Sequence, residues 1–172
     1  MAYSLTEFCA ETRDLLKSRE LAEALPHIAA RLTRLLSNPA FVAETFSQDM
    51  PPGRRVLHHD PDTDFYVLAH VQASGKSGKP HSHGNSWAIY GNALGVTEMT
   101  EWRRVNPEND DHAELKATSK YSLGPGQTHA YGPGIIHSTA HPKGAWVIRV
   151  TGTDLDNIPR YHFGKGDRIS AT

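Results

Sequence analysis

The chain has 172 residues, 38% of them hydrophobic and 22% charged, with a formal net charge of −1, the composition of a globular protein long enough to bury a core. Its 18 basic side chains are balanced by 19 acidic ones, with no basic cluster beyond Arg103-Arg104, which argues against a nucleic-acid or membrane-surface partner. No apolar run approaches the roughly 18 residues of a membrane span, and the lone Cys9 excludes an internal disulfide framework and fits a reducing compartment.

The first third of the chain reads as helix. Ser4-Leu5-Thr6-Glu7 matches a capping box, and Leu5, Phe8, Cys9, Thr12, Leu15 and Leu16 recur at helical spacing behind it. Glu7, Glu11 and Asp14 also stand where a signal peptide needs an apolar stretch, so the chain reads as cytoplasmic. A second helix is expected from about Glu20 to Leu36, with Pro26 setting a boundary or kink inside it. Asn38-Pro39 then forms a cap and first helical position for a short third helix through Phe46.

After Pro51-Pro52-Gly53 the pattern changes to short alternating runs punctuated by glycine and proline. These are Arg55 to His59, Phe65 to Ala73, His81 to Val96, Met99 to Val105, Glu114 to Leu123 and Trp146 to Thr151. Short strands with no helices between them predict an antiparallel sandwich or barrel. The expected organisation is a helical segment over residues 1–50 packed on a β-barrel over residues 51–172.

Eleven histidines are present, and His81-Ser82-His83 is the strongest local signal among them. Residues two apart on a strand project from one face, so two imidazoles converge there, and a third ligand must come from another strand. His-x-His alone is common on surfaces. Here it sits between Gly75 and Gly95, and a second stretch downstream holds Gly126, Gly134, His137 and His141.

These residues resemble the two motifs of the cupin superfamily. Gly75, His81, His83 and Gly95 match the first, and Gly126, Gly134 and His137 match the second. Two positions depart: Ala88 stands in place of the glutamate ligand and His141 in place of an asparagine. The resemblance implies a mostly β fold, the cupin double-stranded β-helix or jelly-roll barrel, and a metal ion on His81, His83 and His137. Without the carboxylate, the ligands are three neutral imidazoles.

A three-histidine cupin with a helical N-terminus is similar to the cysteine dioxygenase-like family of thiol dioxygenases, over roughly residues 39–163. Arg55 falls where that family has an arginine for the substrate carboxylate, with Arg54 an equal candidate. Ala88 also occupies the place of the cysteine that animal members crosslink to a tyrosine. Val147, Arg149 and Thr151 stand where the family carries a Ser-His-Tyr trio, so a cysteine substrate is not carried over.

In the family's register Arg149 points into the barrel, where a guanidinium needs an anionic ligand or a carboxylate partner; a shifted strand would instead expose it. His141 either exchanges hydrogen bonds with the substrate or lies on an exposed loop. Trp87 and Tyr90 line the pocket or belong to the core, and His129 is a weaker candidate ligand. The resulting expectation is an Fe(II)-dependent dioxygenase for a small anionic substrate, with dioxygen as co-substrate. Zinc, nickel, manganese and copper stay open as the ion. The rival readings are a non-oxidative metal-dependent isomerase or lyase, or a non-catalytic binding cupin. The chain is read as a monomer or homodimer.

Overall fold

A computed structural model describes residues 2–110, 112–158, 161–163 and 170–171. The chain begins with three helices. Helix α1 (Leu5–Ser18) opens on the expected capping box: the Ser4 amide donates to Glu7 Oε2 at 2.8 Å, and the Glu7 amide donates to Ser4 Oγ at 3.2 Å. Helix α2 (Leu21–Leu36) runs through Pro26 without a break. The missing N–H of Pro26 would have served the Ala22 carbonyl in the first turn, and four buried apolar residues, Ile28, Leu32, Leu35 and Leu36, anchor the helix beyond it. Helix α3 (Pro39–Thr45) is capped by Asn38, whose Oδ1 accepts from the Ala40 amide at 3.0 Å.

The remaining strands are β1 (Gly53–His59), β2 (Tyr66–Gln72), β3 (Lys76–Ser77), β4 (His81–Ser82), β5 (Ala88–Gly95) and β6 (Thr97–Arg104). They continue with β7 (Leu115–Leu123), β8 (Thr128–Tyr131), β9 (Ile136–His141), β10 (Ala145–Thr151), β11 (Tyr161–His162) and β12 (Ser170–Ala171). The run from His81 to Val96 is not one strand. A turn at residues 83–86, with the Ser86 amide donating to the His83 carbonyl and Gly84 at φ +57°, sends β4 and β5 into different sheets. Strands β8 and β9 are not among the runs expected from sequence; they flank the glycine- and proline-rich turn Gly132-Pro133-Gly134.

One sheet has the order β1-β2-β10-β5-β8 and the other β12-β11-β4-β9-β6-β7, with β3 also on β9; every pair is antiparallel. Between β4 and β10 the chain passes back and forth between the sheets, so that β2-β10-β5-β8 faces β4-β9-β6-β7. This is the double-stranded β-helix, a jelly roll built without a helix inside the barrel.

Alternation along the first sheet separates two apolar layers. Val67, Ala69, Ile89, Ile148 and Val150 face the helices and share one core with Phe8, Ile28, Leu32 and Leu35. Ala88, Tyr90 and Val147 face inward, with Met99, Leu123 and Tyr131. Helix α2 lies so close to β5 that a side chain on Gly91 would stand 2.7 Å from Leu36 and 2.8 Å from Leu32. A second tie joins helix and barrel: buried Asp60 accepts from Arg13 Nε at 2.7 Å and from the Asp62 and Thr63 amides. These donors hold its carboxyl below the usual range although burial works in the opposite direction.

Candidate metal centre and adjoining cavity

Three histidines meet inside the barrel. His81 and His137 are direct partners across the β4–β9 ladder, and His83 stands just beyond the end of β4. Their ring centroids are 4.7 Å (His81–His137), 4.8 Å (His83–His137) and 5.2 Å (His81–His83) apart, and one ligating nitrogen from each lies within 4.8 Å of the others. His83 and His137 are buried, His81 partly so.

The surroundings fix which nitrogen faces an ion. His81 Nδ1 lies 3.0 Å from the Lys79 carbonyl and His137 Nδ1 3.2 Å from that of Ile135. In the neutral ring, an Nδ1–H donated to a carbonyl leaves the lone pair on Nε2, the nitrogen a metal ligand would then present. Burial, followed by the charge of His81, pulls the pKa of His137 down to about 3, so this imidazole is neutral in the absence of an ion. The donor set fits a borderline divalent ion such as zinc, iron, nickel or copper. Ala88 fills the place of the expected carboxylate and packs in the barrel interior, so among the described residues the clustered ligands are three imidazoles.

Aromatic residues hold His137 in place. The Tyr131 ring stacks on it at 4.1 Å and 2°, and the Tyr90 hydroxyl lies 3.3 Å from its Nε2. Tyr131 in turn meets the Tyr121 hydroxyl at 2.5 Å, and Tyr121 donates to Glu101 Oε1 at 2.9 Å. His129 belongs to this support: its Nε2 is 3.4 Å from Glu101, and it is not one of the clustered ligands.

A cavity of about 480 Å³ adjoins the trio, lined in part by His81, Tyr90, His141 and Arg149. Register explains why Arg149 faces it. Arg149 pairs with Leu68 on β2 and Tyr90 on β5, so Val147, Arg149 and Thr151 share the inward face while Ile148 and Val150 pack on the helices. Its Nε is buried without a hydrogen-bond partner. His141 is buried rather than on an exposed loop, and its Nδ1 is 3.2 Å from Thr97 Oγ1. That hydroxyl gives its proton to Asn92 Oδ1 at 2.9 Å, so His141 Nδ1 is the donor and its Nε2 the acceptor. Burial, then Lys76, lowers the pKa of His141 to about 4.

Arg55 does not reach this cavity. Strand alternation turns it to the opposite face of β1, where Nη2 donates to the Thr45 carbonyl at the end of α3. The expectation of a substrate contact passes to Arg54, which pairs with His70 on the inward side and lines the cavity. Trp87 also faces outward, in the core shared with the helices, packed on Gly152. His70 and Gln72 complete the cavity wall and were not singled out from sequence. The available signal was that Val67, Ala69 and Val71 alternate with them, which leaves two polar residues on the other face of an otherwise apolar strand.

No family model matches the chain, and no curated protein matches it. Solved structures do. A cupin superfamily protein of Desulfitobacterium hafniense is 15% identical over 66% of this chain and 87% of its own, with a TM-score of 0.47. A protein of Klebsiella pneumoniae with a double-stranded β-helix domain is 16% identical over 72% and 89%, with a TM-score of 0.49. KdgF from a Halomonas species is 20% identical over 67% and 95%, with a TM-score of 0.46. The fold rests on the strand order above rather than on these likenesses. That order and the three imidazoles define the class: a double-stranded β-helix protein with a possible metal site.

Proposed function

We propose that the chain is a metal-dependent enzyme that holds a divalent ion, Fe(II) first among the candidates, on His81, His83 and His137 and oxidises a small anionic substrate with dioxygen. The observation that carries this reading is the pairing of two features in one cavity. Among the described residues the clustered ligands are three imidazoles, and beside them lies the half-buried Arg149, whose Nε is enclosed without a hydrogen-bond partner. A guanidinium with one N–H shielded from water and unpaired is a ready partner for an anion.

When bound, the ion supplies Lewis acidity and open coordination positions for both reactants. The chain's own residues do the rest. Arg149 binds and orients the acid group. Tyr90, whose hydroxyl engages His137 Nε2 while that lone pair is free, turns to the cavity once the lone pair is taken. His141, neutral at physiological pH, accepts a hydrogen bond or a proton from substrate at Nε2. Iron and dioxygen are favoured by the resemblance to thiol dioxygenases; the trio of neutral ligands suits purely Lewis-acid chemistry equally well.

Oxygen-electrode and product measurements on iron-reconstituted and zinc-reconstituted protein, over a panel of small carboxylic acids and thiols, test the proposal. Dioxygen uptake with iron alone is expected. Turnover with zinc in the absence of dioxygen would replace oxidation by an isomerase or lyase reaction, and no turnover with either ion would leave a binding protein.

A further inference from the structure

The cavity wall opposite the trio carries two more buried polar atoms without partners, His70 Nε2 and Gln72 Oε1. Their order along the barrel follows from the register. Tyr90, which touches His137, lies level with Arg149 and Leu68; His70 is the next inward residue along β2, and Gln72 the one after. Each step is about 6–7 Å of strand. Moving away from the histidine trio, a ligand meets Arg149, then His70, then Gln72.

The chemistry of these groups narrows what the far end of the ligand is. A neutral imidazole and a carboxamide each present a donor and an acceptor, and a hydroxyl, itself both, satisfies either in any orientation. An ammonium only donates. It also needs a negative partner, and the lining offers none to spare: among its described residues the sole carboxylate is Asp156, held by Arg54 at 2.5 Å. Arg149, Arg54 and Lys76 make the surroundings cationic. Their field adds to burial in pulling the pKa of His70 down to about 2, so this ring is neutral as well.

We propose that the cavity selects a small hydroxy acid, with its anionic group on Arg149 and hydroxyls against His70 and Gln72, and discriminates against an amino acid of the same shape. The inference rests on the anionic-substrate reading of the same cavity and adds the class of molecule. A buried polar pair left unsatisfied by a ligand lacking the hydroxyl sets the scale, about tenfold or more in affinity.

Calorimetry on the full chain, metal-free and zinc-loaded, tests it with two matched sets. One is glycerate, serine and propanoate; the other is gluconate, 2-amino-2-deoxygluconate and hexanoate. In at least one set the hydroxy acid should bind about tenfold more tightly than both analogues. Gln72→Leu should reduce its advantage over the plain acid to about twofold, and Gln72→Glu, by adding a carboxylate, should shift preference toward the amino acid. The proposal is overturned if the amino or plain acid binds as tightly in both sets, or if neither variant changes the ratios. Anions that bind without preference would remove this inference and leave the anionic-substrate reading. If no anion binds either form of the protein, both fall.

Discussion

Arg149 is half-buried, and its Nε is shut off from water without a hydrogen-bond partner, at a cost of about 1–3 kcal/mol. The residue is therefore informative in two opposite directions. Arg149→Met keeps most of the side-chain volume and removes the charge, so thermal unfolding of the ligand-free variant should occur at the same temperature or higher. Its affinity for small carboxylates should fall roughly 10- to 100-fold, the worth of a charged hydrogen-bonded contact. Loss of stability without loss of anion binding would make Arg149 a structural residue.

Tyr90 offers a second sign test. Its hydroxyl occupies the lone pair on His137 that an ion would use, so Tyr90→Phe removes a competitor. Metal affinity should stay level or rise by up to about tenfold, the equivalent of one hydrogen bond. A titration showing weaker binding in the variant would instead make Tyr90 a support for the ion.

At the scale of elements, those with local chemical signals could be read from sequence. Ser4 and Glu7 mark the start of α1, and Asn38-Pro39 the start of α3, because caps act within four residues. The pairing of His81 with His137 depends on β4 and β9 becoming neighbours across some 56 positions of sequence, and no local rule gives that. It was reachable only through the motif resemblance. The failures have the same origin. Arg55 and Arg54 differ by one position, which on a strand is the difference between facing the helices and facing the cavity. His70 and Gln72 become part of a site only once β10 lies beside β2.

The tight approach of α2 to β5 gives a test at this scale. Gly91→Ala puts a methyl group into contacts of 2.7–2.8 Å with Leu36 and Leu32, and should cost about 1–3 kcal/mol in denaturant unfolding. If the variant were as stable as the parent, the helices would not be seated on the sheet as described.

For the molecule as a whole, buried neutral histidines link the fold to pH. His70, His137 and His141 have folded-state pKa values lowered to about 2, 3 and 4, burial being the largest cause for each. In the unfolded chain they bind protons below about pH 6.5, while the folded state does not. Their contribution to stability is thus complete above pH 6.5 and is lost as pH falls. Stability of the metal-free protein should therefore fall between roughly pH 6 and 4, by at most about 1.4 kcal/mol per pH unit for each ring that stays neutral in the fold. Urea unfolding across that window should show it, and a flat profile would mean that these rings are hydrated. A divalent ion competes with protons at His81, His83 and His137, so a loaded protein should release its metal as it is acidified.

All of the proposed chemistry depends on His81, His83 and His137 sharing one ion, and cobalt(II) titration followed by visible absorption measures this directly. The parent chain should take up one equivalent with a ligand-field band. Replacing any one of the three by alanine should weaken uptake by about 100-fold or more and alter the band, while His129→Ala, beside Glu101, should do neither. Equal cobalt binding by the parent and the three single variants would contradict the account.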